Sequence, residues 1–66
     1  MLEFQRRLKQ LRERRGISAA TLSELVGLSR SMITKYERGE RQPSMGALME
    51  IADFFEVSMD YLCGRD

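Results

Sequence analysis

The sequence contains no histidine, and this absence removes the residue that enzymes use most often for proton transfer. It also has no glycine-rich phosphate loop and no spacing typical of metal ligands. The nearest carboxylate pair, Glu50 and Asp53, is expected on the outer face of a helix, where contact with solvent explains both residues. The sequence therefore favours a protein that is not an enzyme and that has no catalytic residues, no metal and no cofactor.

The single cysteine and the short apolar runs exclude two further classes. Cys63 cannot form an internal disulfide, and no apolar run approaches the roughly 20 residues of a membrane span. The N-terminal MLEFQRR mixes acidic and basic residues and lacks the apolar region of a signal peptide. We expect a soluble cytoplasmic protein without membrane association, in which Cys63 is a small hydrophobic residue near a helix end.

The charges are unevenly distributed along the chain. Residues 1–41 carry ten basic and five acidic residues, a net charge of +5, whereas residues 42–66 carry one basic and five acidic residues, a net charge of −4. This asymmetry predicts a positive end that attracts an anionic partner. The alternative is that the charge serves only solubility. With 66 residues, we expect a single domain over 1–66 with a small core.

Glycine and serine mark the expected helix ends. Gly-Ile-Ser at 16–18 and Gly-Leu-Ser at 27–29 each place a helix-ending glycine before a serine that can cap the next helix. Ser18 and Ser29 are thus expected to start the second and third helices. Gly39 is expected to end the third helix, and Ser44 and Ser58 are expected to cap the last two.

Apolar spacing supports an all-α fold with five short helices. Stripes at helical spacing run along the first helix (Phe4, Leu8, Leu11), the second (Leu22, Leu25, Val26) and the fourth (Leu48, Ile51, Ala52, Phe55). No segment alternates as a β-strand does. The predicted helices span about 2–15, 19–26, 30–38, 45–55 and 59–63.

The three residues between the second and third helices predict a sharp helix-turn-helix connection. On the third helix, Ile33 and Tyr36 are expected to point inward, with Arg30 in the first turn. The opposite face then carries hydroxyl and cationic groups that can donate to base edges and phosphates: Ser31, Thr34, Lys35 and Arg38. The alternative is an ordinary solvated helix surface.

Three ordered motifs resemble the lambda repressor and Cro-like helix-turn-helix domains of XRE-type regulators. They read LxxLRERRGIS at 8–18, LxxxVGLSRSMITKYERGxRxPS at 22–44 and LxxIADFFxVSxDYLxG at 48–64. The resemblance implies five helices, with the third in the DNA major groove. It also implies a sequence-specific transcriptional regulator, more often a repressor, that binds a palindromic operator as a homodimer without a small-molecule substrate.

The resemblance also implies residue roles. Base contacts would come from Arg30, Ser31 and Lys35, with Thr34 nearby. Phosphate contacts would come from the ends of the third helix, the following loop and the start of the fourth helix: Ser29, Arg38, Arg41, Gln42 and Ser44.

The resemblance also implies one ion pair, and the sequence departs from the family pattern at two positions. Arg12 and Glu37 would form a pair that fixes the third helix on the first, although an exposed pair of little energetic weight is equally compatible with the sequence. Ala19 stands where many relatives have a phosphate-binding glutamine. Glu56 stands where a glycine or asparagine is common, so a left-handed backbone there would be strained.

The acidic half carries more apolar groups than a small core needs. Phe54 lies off the stripe of the fourth helix, and Met59 and Tyr61 follow it in the sequence. We expect these three residues to form a dimer interface. Two alternatives remain: ordinary packing at the rim of the core, and a protein-interaction or antitoxin-like module in which DNA binding is secondary.

Overall fold

The computed structural model describes residues 2–66, so Met1, the first residue of the predicted domain, lies outside the described part. The described residues form helices and connecting turns without a β-strand, which confirms the all-α prediction. None of these helices combines the length and the apolar character that a membrane crossing requires. The five helices are α1 (Leu2–Arg14), α2 (Ala19–Leu25), α3 (Met32–Arg38), α4 (Met45–Phe55) and α5 (Met59–Leu62).

Three of the predicted serine caps are present. The hydroxyl oxygens of Ser18, Ser44 and Ser58 each accept a hydrogen bond from the backbone N–H three residues later, at 2.9 to 3.1 Å. Each bond satisfies one of the N–H groups that lack a partner at a helix start. Gly39, with φ of 75°, ends α3 in the left-handed conformation that glycine adopts without strain. The glycine and serine pattern thus located most helix ends.

The predicted start of the third helix is wrong. Ser29 does not cap α3: its carbonyl accepts the N–H of Met32 at 3.0 Å and closes a turn, so the helix begins two residues later than expected. The N–H of Ile33 is satisfied instead by Ser23 of α2, whose hydroxyl accepts it at 3.0 Å. The same hydroxyl donates to the carbonyl of Ala19 at 2.8 Å. The acceptor for the first turn of α3 therefore comes from the packed neighbouring helix.

The core lies where all five helices meet, and it contains nearly all of the predicted stripe residues. Leu11 is partly buried against this core, whereas Leu25 is 57% exposed. At about 100° per residue, the inward face of α2 passes through Leu22, Ser23 and Val26, and Leu25 lies beside it. The buried apolar residues are Phe4, Leu8, Leu22, Val26, Ile33, Tyr36, Ala47, Leu48, Ile51, Ala52, Phe55 and Leu62.

The chain turns out of α4 through a left-handed residue that is not glycine. Glu56 has φ of 57° and ψ of 42°, and it is the one non-glycine residue with positive φ among residues 2–66. The strain anticipated from the sequence at this position is therefore built into the backbone. After the turn, α5 packs against both α1 and α4. Cys63 follows α5 and lies half-buried against the core, as expected.

Candidate nucleic-acid interface

The turn between α2 and α3 is fixed by backbone hydrogen bonds and by core packing. The N–H of Leu28 donates to the carbonyl of Ser23 at 2.8 Å. Leu28 and Met32 are partly buried against the core, on either side of three exposed residues, Ser29, Arg30 and Ser31. Because α2 and α3 also pack against each other, the angle between them is set before any partner binds.

The two faces of α3 differ as the sequence predicts. Ile33 and Tyr36 are buried, and Tyr36 packs edge-on against the Phe4 ring of α1 with ring centres 6.1 Å apart. On the other side, Thr34 and Lys35 are half-buried and Arg38 is exposed. A helix held by an apolar face on one side can present its polar face to a partner without unfolding.

Arg30 lies in the turn before α3, not in its first helical turn as the sequence suggested. The reason is the later start of the helix, at Met32. The Nη1 group of Arg30 donates to Oε2 of Glu24 in α2 at 2.7 Å, and the two side chains are 72% and 53% exposed. Ser31 also precedes the helix and makes no side-chain capping bond. The first two base-contact candidates are thus turn residues, and Thr34 and Lys35 are helical.

The residues implied in phosphate contacts are exposed at the surface. Arg38 is 4.0 Å from Glu40, an exposed pair of little energetic weight. The hydroxyl of Ser44 is used as the cap of α4, where it accepts the N–H of Ala47. The remaining three candidates make no side-chain hydrogen bond to residues 2–66; they are Ser29, Arg41 and Gln42.

The loop after α3 is held against α1 at Gly39. A Cβ atom at this position would overlap the side-chain amide of Gln5. Glycine suits this position because it adopts the positive φ without strain and leaves room for the Gln5 side chain. The segment from Arg38 to Arg41, on either side of this glycine, carries two of the cationic candidates.

An ion pair joins α3 to α1. Arg12 of α1 donates two hydrogen bonds to Glu37, so the pair implied by the resemblance has a partly buried geometry. Hydrogen bonding to Glu37 raises the pKa of Arg12 above its usual value, and burial opposes this effect. The guanidinium therefore stays charged, as the pair requires.

The dimer candidates are partly covered by cations of the same chain. Phe54 packs edge-to-face on Phe55, with ring centres 5.0 Å apart, and the guanidinium carbon of Arg15 lies 5.3 Å from the centre of each ring. The guanidinium carbon of Arg7 lies 4.4 Å from the centre of the Tyr61 ring. Met59 is half-buried against the core. Among residues 2–66, the large apolar side chains that are most exposed are others: Leu2, Leu25, Met45 and Met49.

Sequence reasoning missed three polar residues that make hydrogen bonds between elements of the fold. Ser23 was detectable, since a serine on the inward face of α2 interrupts an apolar stripe. Glu24 gave no signal, because its contact with Arg30 depends on the turn between them. Arg7 gave none either: it donates to the carbonyl of Tyr61 at 2.7 Å and to Asp66 at 3.0 Å, far along the chain.

The chain matches a known protein family and two named transcriptional regulators over most of its length. The helix-turn-helix family model matches residues 8–62. The chain is 38% identical over 60 residues to the HTH-type transcriptional regulator AnsR of Bacillus subtilis, covering 91% of this chain and 52% of AnsR. It is 38% identical over 64 residues to the cryptic phage CTXphi transcriptional repressor RstR of Vibrio cholerae, covering 97% of this chain and 57% of RstR. The chain spans about half the length of these curated relatives.

Two solved structures share the fold. The P22 c2 repressor protein, crystallised in complex with a synthetic operator, is 30% identical and superposes with a TM-score of 0.86, covering 100% of this chain and 98% of that one. The restriction-modification controller protein C.AhdI from Aeromonas hydrophila is 34% identical with a TM-score of 0.83, covering 92% of each chain. This similarity confirms the fold that the sequence resemblance implies.

Proposed function

Since the chain belongs to the helix-turn-helix family and has a lambda repressor-like fold, we propose that it is a sequence-specific DNA-binding transcriptional regulator that acts as a repressor. The observation that carries this proposal is the polar outer face of α3 on a helix whose other face is buried. The turn before α3, the helix itself and the following loop carry four basic residues, namely Arg30, Lys35, Arg38 and Arg41. The similarity to RstR, which is named a transcriptional repressor, supports the same function. So does the similarity to the P22 c2 repressor protein, which was crystallised with an operator.

In the proposed complex, α3 lies in the major groove. Arg30 and Lys35 donate to base edges, because arginine and lysine match the two acceptors of guanine. Ser31 and Thr34 add hydroxyl donors at the same surface. Phosphates are bound on both sides by Ser29, Arg38, Arg41, Gln42 and the start of α4 at Ser44, where N–H groups face outward from a helix end.

We propose further that two copies bind a palindromic operator. The contact between them would use Phe54, Met59 and Tyr61, which lie in the acidic half, away from the cationic segment in the sequence. A twofold dimer repeats the recognition helix at the spacing of one DNA turn. The cations over Phe54 and Tyr61 keep these rings partly covered in the free chain, which is compatible with a dimer that forms on DNA.

The test is selection of bound duplexes from a random pool, followed by salt titrations. Arg30→Ala should weaken binding to the selected duplex by about 1 to 3 kcal/mol and flatten preference at one base pair. Arg41→Ala should weaken the selected and scrambled duplexes alike and lower the salt slope by roughly one unit, since about one fewer counterion is released. If both variants lose equal affinity on both duplexes, Arg30 reads no base. Failure of the parent to enrich any duplex would favour a protein-interaction module.

A further inference from the structure

Glu24 contacts the side chain to which the proposed function gives the leading role in base recognition. It lies on α2, six residues before Arg30, and accepts a hydrogen bond from Nη1 of that residue at 2.7 Å. Within residues 2–66, Nε and Nη2 of Arg30 make no hydrogen bond. The guanidinium is thus held from one side and has a second edge with two free donor groups.

We propose that Glu24 is a positioning residue that aims Arg30 at a guanine. The inference rests on the proposed function, because it needs Arg30 to meet a base. Two parallel donors from the Nε–Nη2 edge match the O6 and N7 acceptors of guanine in the major groove. Arginine has many rotamers, and an acceptor that orients its side chain before binding lowers the entropy lost in the complex.

The ion pair is too exposed to matter for folding. With side chains that are 72% and 53% exposed, its charges remain largely hydrated in the free chain. A role in stability would require burial, as in the pair of Arg12 and Glu37. Orientation of Arg30 is therefore the effect that this contact can exert.

The Glu24 carboxylate should also lower the affinity for duplexes that lack the recognised base. Near a duplex, the Glu24 carboxylate repels phosphates. Hydrogen bonds between Arg30 and a guanine offset this repulsion, whereas a base without two paired acceptors does not. Glu24 should therefore weaken binding to scrambled DNA more than binding to the selected duplex. Specificity is the ratio of the two affinities, so both effects raise it.

The test compares Glu24→Gln with Glu50→Gln, each with Arg30 present and in an Arg30→Ala background. Glu50 is an exposed residue of α4, so its variant removes the same charge at a position without contact to Arg30. Binding is measured on the selected duplex and on duplexes that change one base pair at a time. Glu24→Gln should lower discrimination at the base pair read by Arg30 roughly fivefold, a part of what a good bidentate contact provides. It should have no such effect without Arg30.

Three outcomes would overturn the inference. If Glu24→Gln and Glu50→Gln change affinity alike at every base pair, Glu24 contributes charge alone. If Glu24→Gln sharpens discrimination, the carboxylate competes with the base for Arg30. If discrimination is unaffected by Arg30→Ala, Arg30 reads no base. In each case the parent chain still selects a duplex, so the proposed function stands, whereas a parent that selects none overturns both.

Discussion

Arg12 and Glu37 are joined by two parallel hydrogen bonds across α1 and α3. Nε of Arg12 donates to Oε2 at 2.7 Å, and Nη2 donates to Oε1 at 3.0 Å. Nη1 of the same guanidinium donates to the carbonyl of Ile17 at 2.9 Å. One side chain therefore links α1, α3 and the turn before α2. The two side chains are only 15% and 10% exposed, so neither charge is well hydrated once its partner is removed.

Loss of either partner should destabilise the domain strongly. Arg12→Ala or Glu37→Ala should each lower the free energy of unfolding by about 3 kcal/mol, because a partly buried charge is left without compensation. Urea denaturation measures this change. Arg6→Ala is the matched control: its pair with Glu3 is exposed, so its loss should cost less than about 1 kcal/mol.

The double variant Arg12→Met/Glu37→Met distinguishes the effect of losing the ion pair from the effect of leaving one charge unpaired. It should be more stable than either single alanine variant, because no charge is left buried alone. Equal, small losses for Arg12→Ala and Arg6→Ala would contradict the role of the buried pair.

Ser23 and Ser29 should differ in their contributions to stability. Ser23→Ala leaves the buried N–H of Ile33 without an acceptor, at a cost of about 1 to 3 kcal/mol. Ser29→Ala removes an exposed hydroxyl that makes no capping bond, and should change stability by less than about 0.5 kcal/mol. Thermal unfolding of both variants measures the difference. The opposite order would restore Ser29 as the cap of α3.

The serines also illustrate which features are visible in the sequence. Ser18 caps its own helix, and such a local contact follows from residue order alone. Ser23 serves a helix other than its own, and its partner is fixed only when α2 and α3 pack. The same limit applies to Arg30, whose helical position was inferred from a cap that is absent and whose partner Glu24 depends on the turn. Leu25 was assigned to the core by its apolar character, although its angle on α2 directs it outward.

Tyr36 should make the domain sensitive to alkali. Burial raises the pKa of Tyr36 above its usual 10.0, and the charge of Arg41 partly opposes this shift. Because the folded pKa is the higher one, the contribution of the neutral phenol is complete below pH 10.0 and is lost as the pH rises through the folded pKa. Tyr36→Phe should flatten that part of the stability curve.

Denaturant unfolding at several pH values above 10 measures the slope. Tyr61→Phe is the control, since it removes a phenol outside the core and should retain the parent's alkaline decline. An equally steep decline in Tyr36→Phe would mean that groups other than Tyr36 cause the loss.

Glu56 should be replaceable with a gain in stability. Its left-handed backbone, with φ of 57°, costs a residue that has a Cβ atom roughly 1 kcal/mol or more. Glu56→Gly removes this strain but adds entropy to the unfolded chain, so we expect a net gain of about 0.5 kcal/mol. Glu56→Gln keeps the Cβ and removes only the charge, and should leave the thermal midpoint nearly unchanged. Equal gains from both variants would assign the effect to charge.

Two copies on one operator should require a fixed distance between half-sites. We expect half-sites about one helical turn, ~34 Å, apart. Insertion of about 5 bp between them should abolish cooperative binding, because it rotates one half-site to the far side of the duplex. Phe54→Ala should weaken binding to the intact operator and spare a single half-site, whereas Met49→Ala, at an exposed position of α4, should leave both unchanged. Gel-shift titration with sedimentation gives affinity and stoichiometry together. Unchanged affinity after the insertion would mean that each copy binds alone, and the residues Phe54, Met59 and Tyr61 would then have no role in assembly.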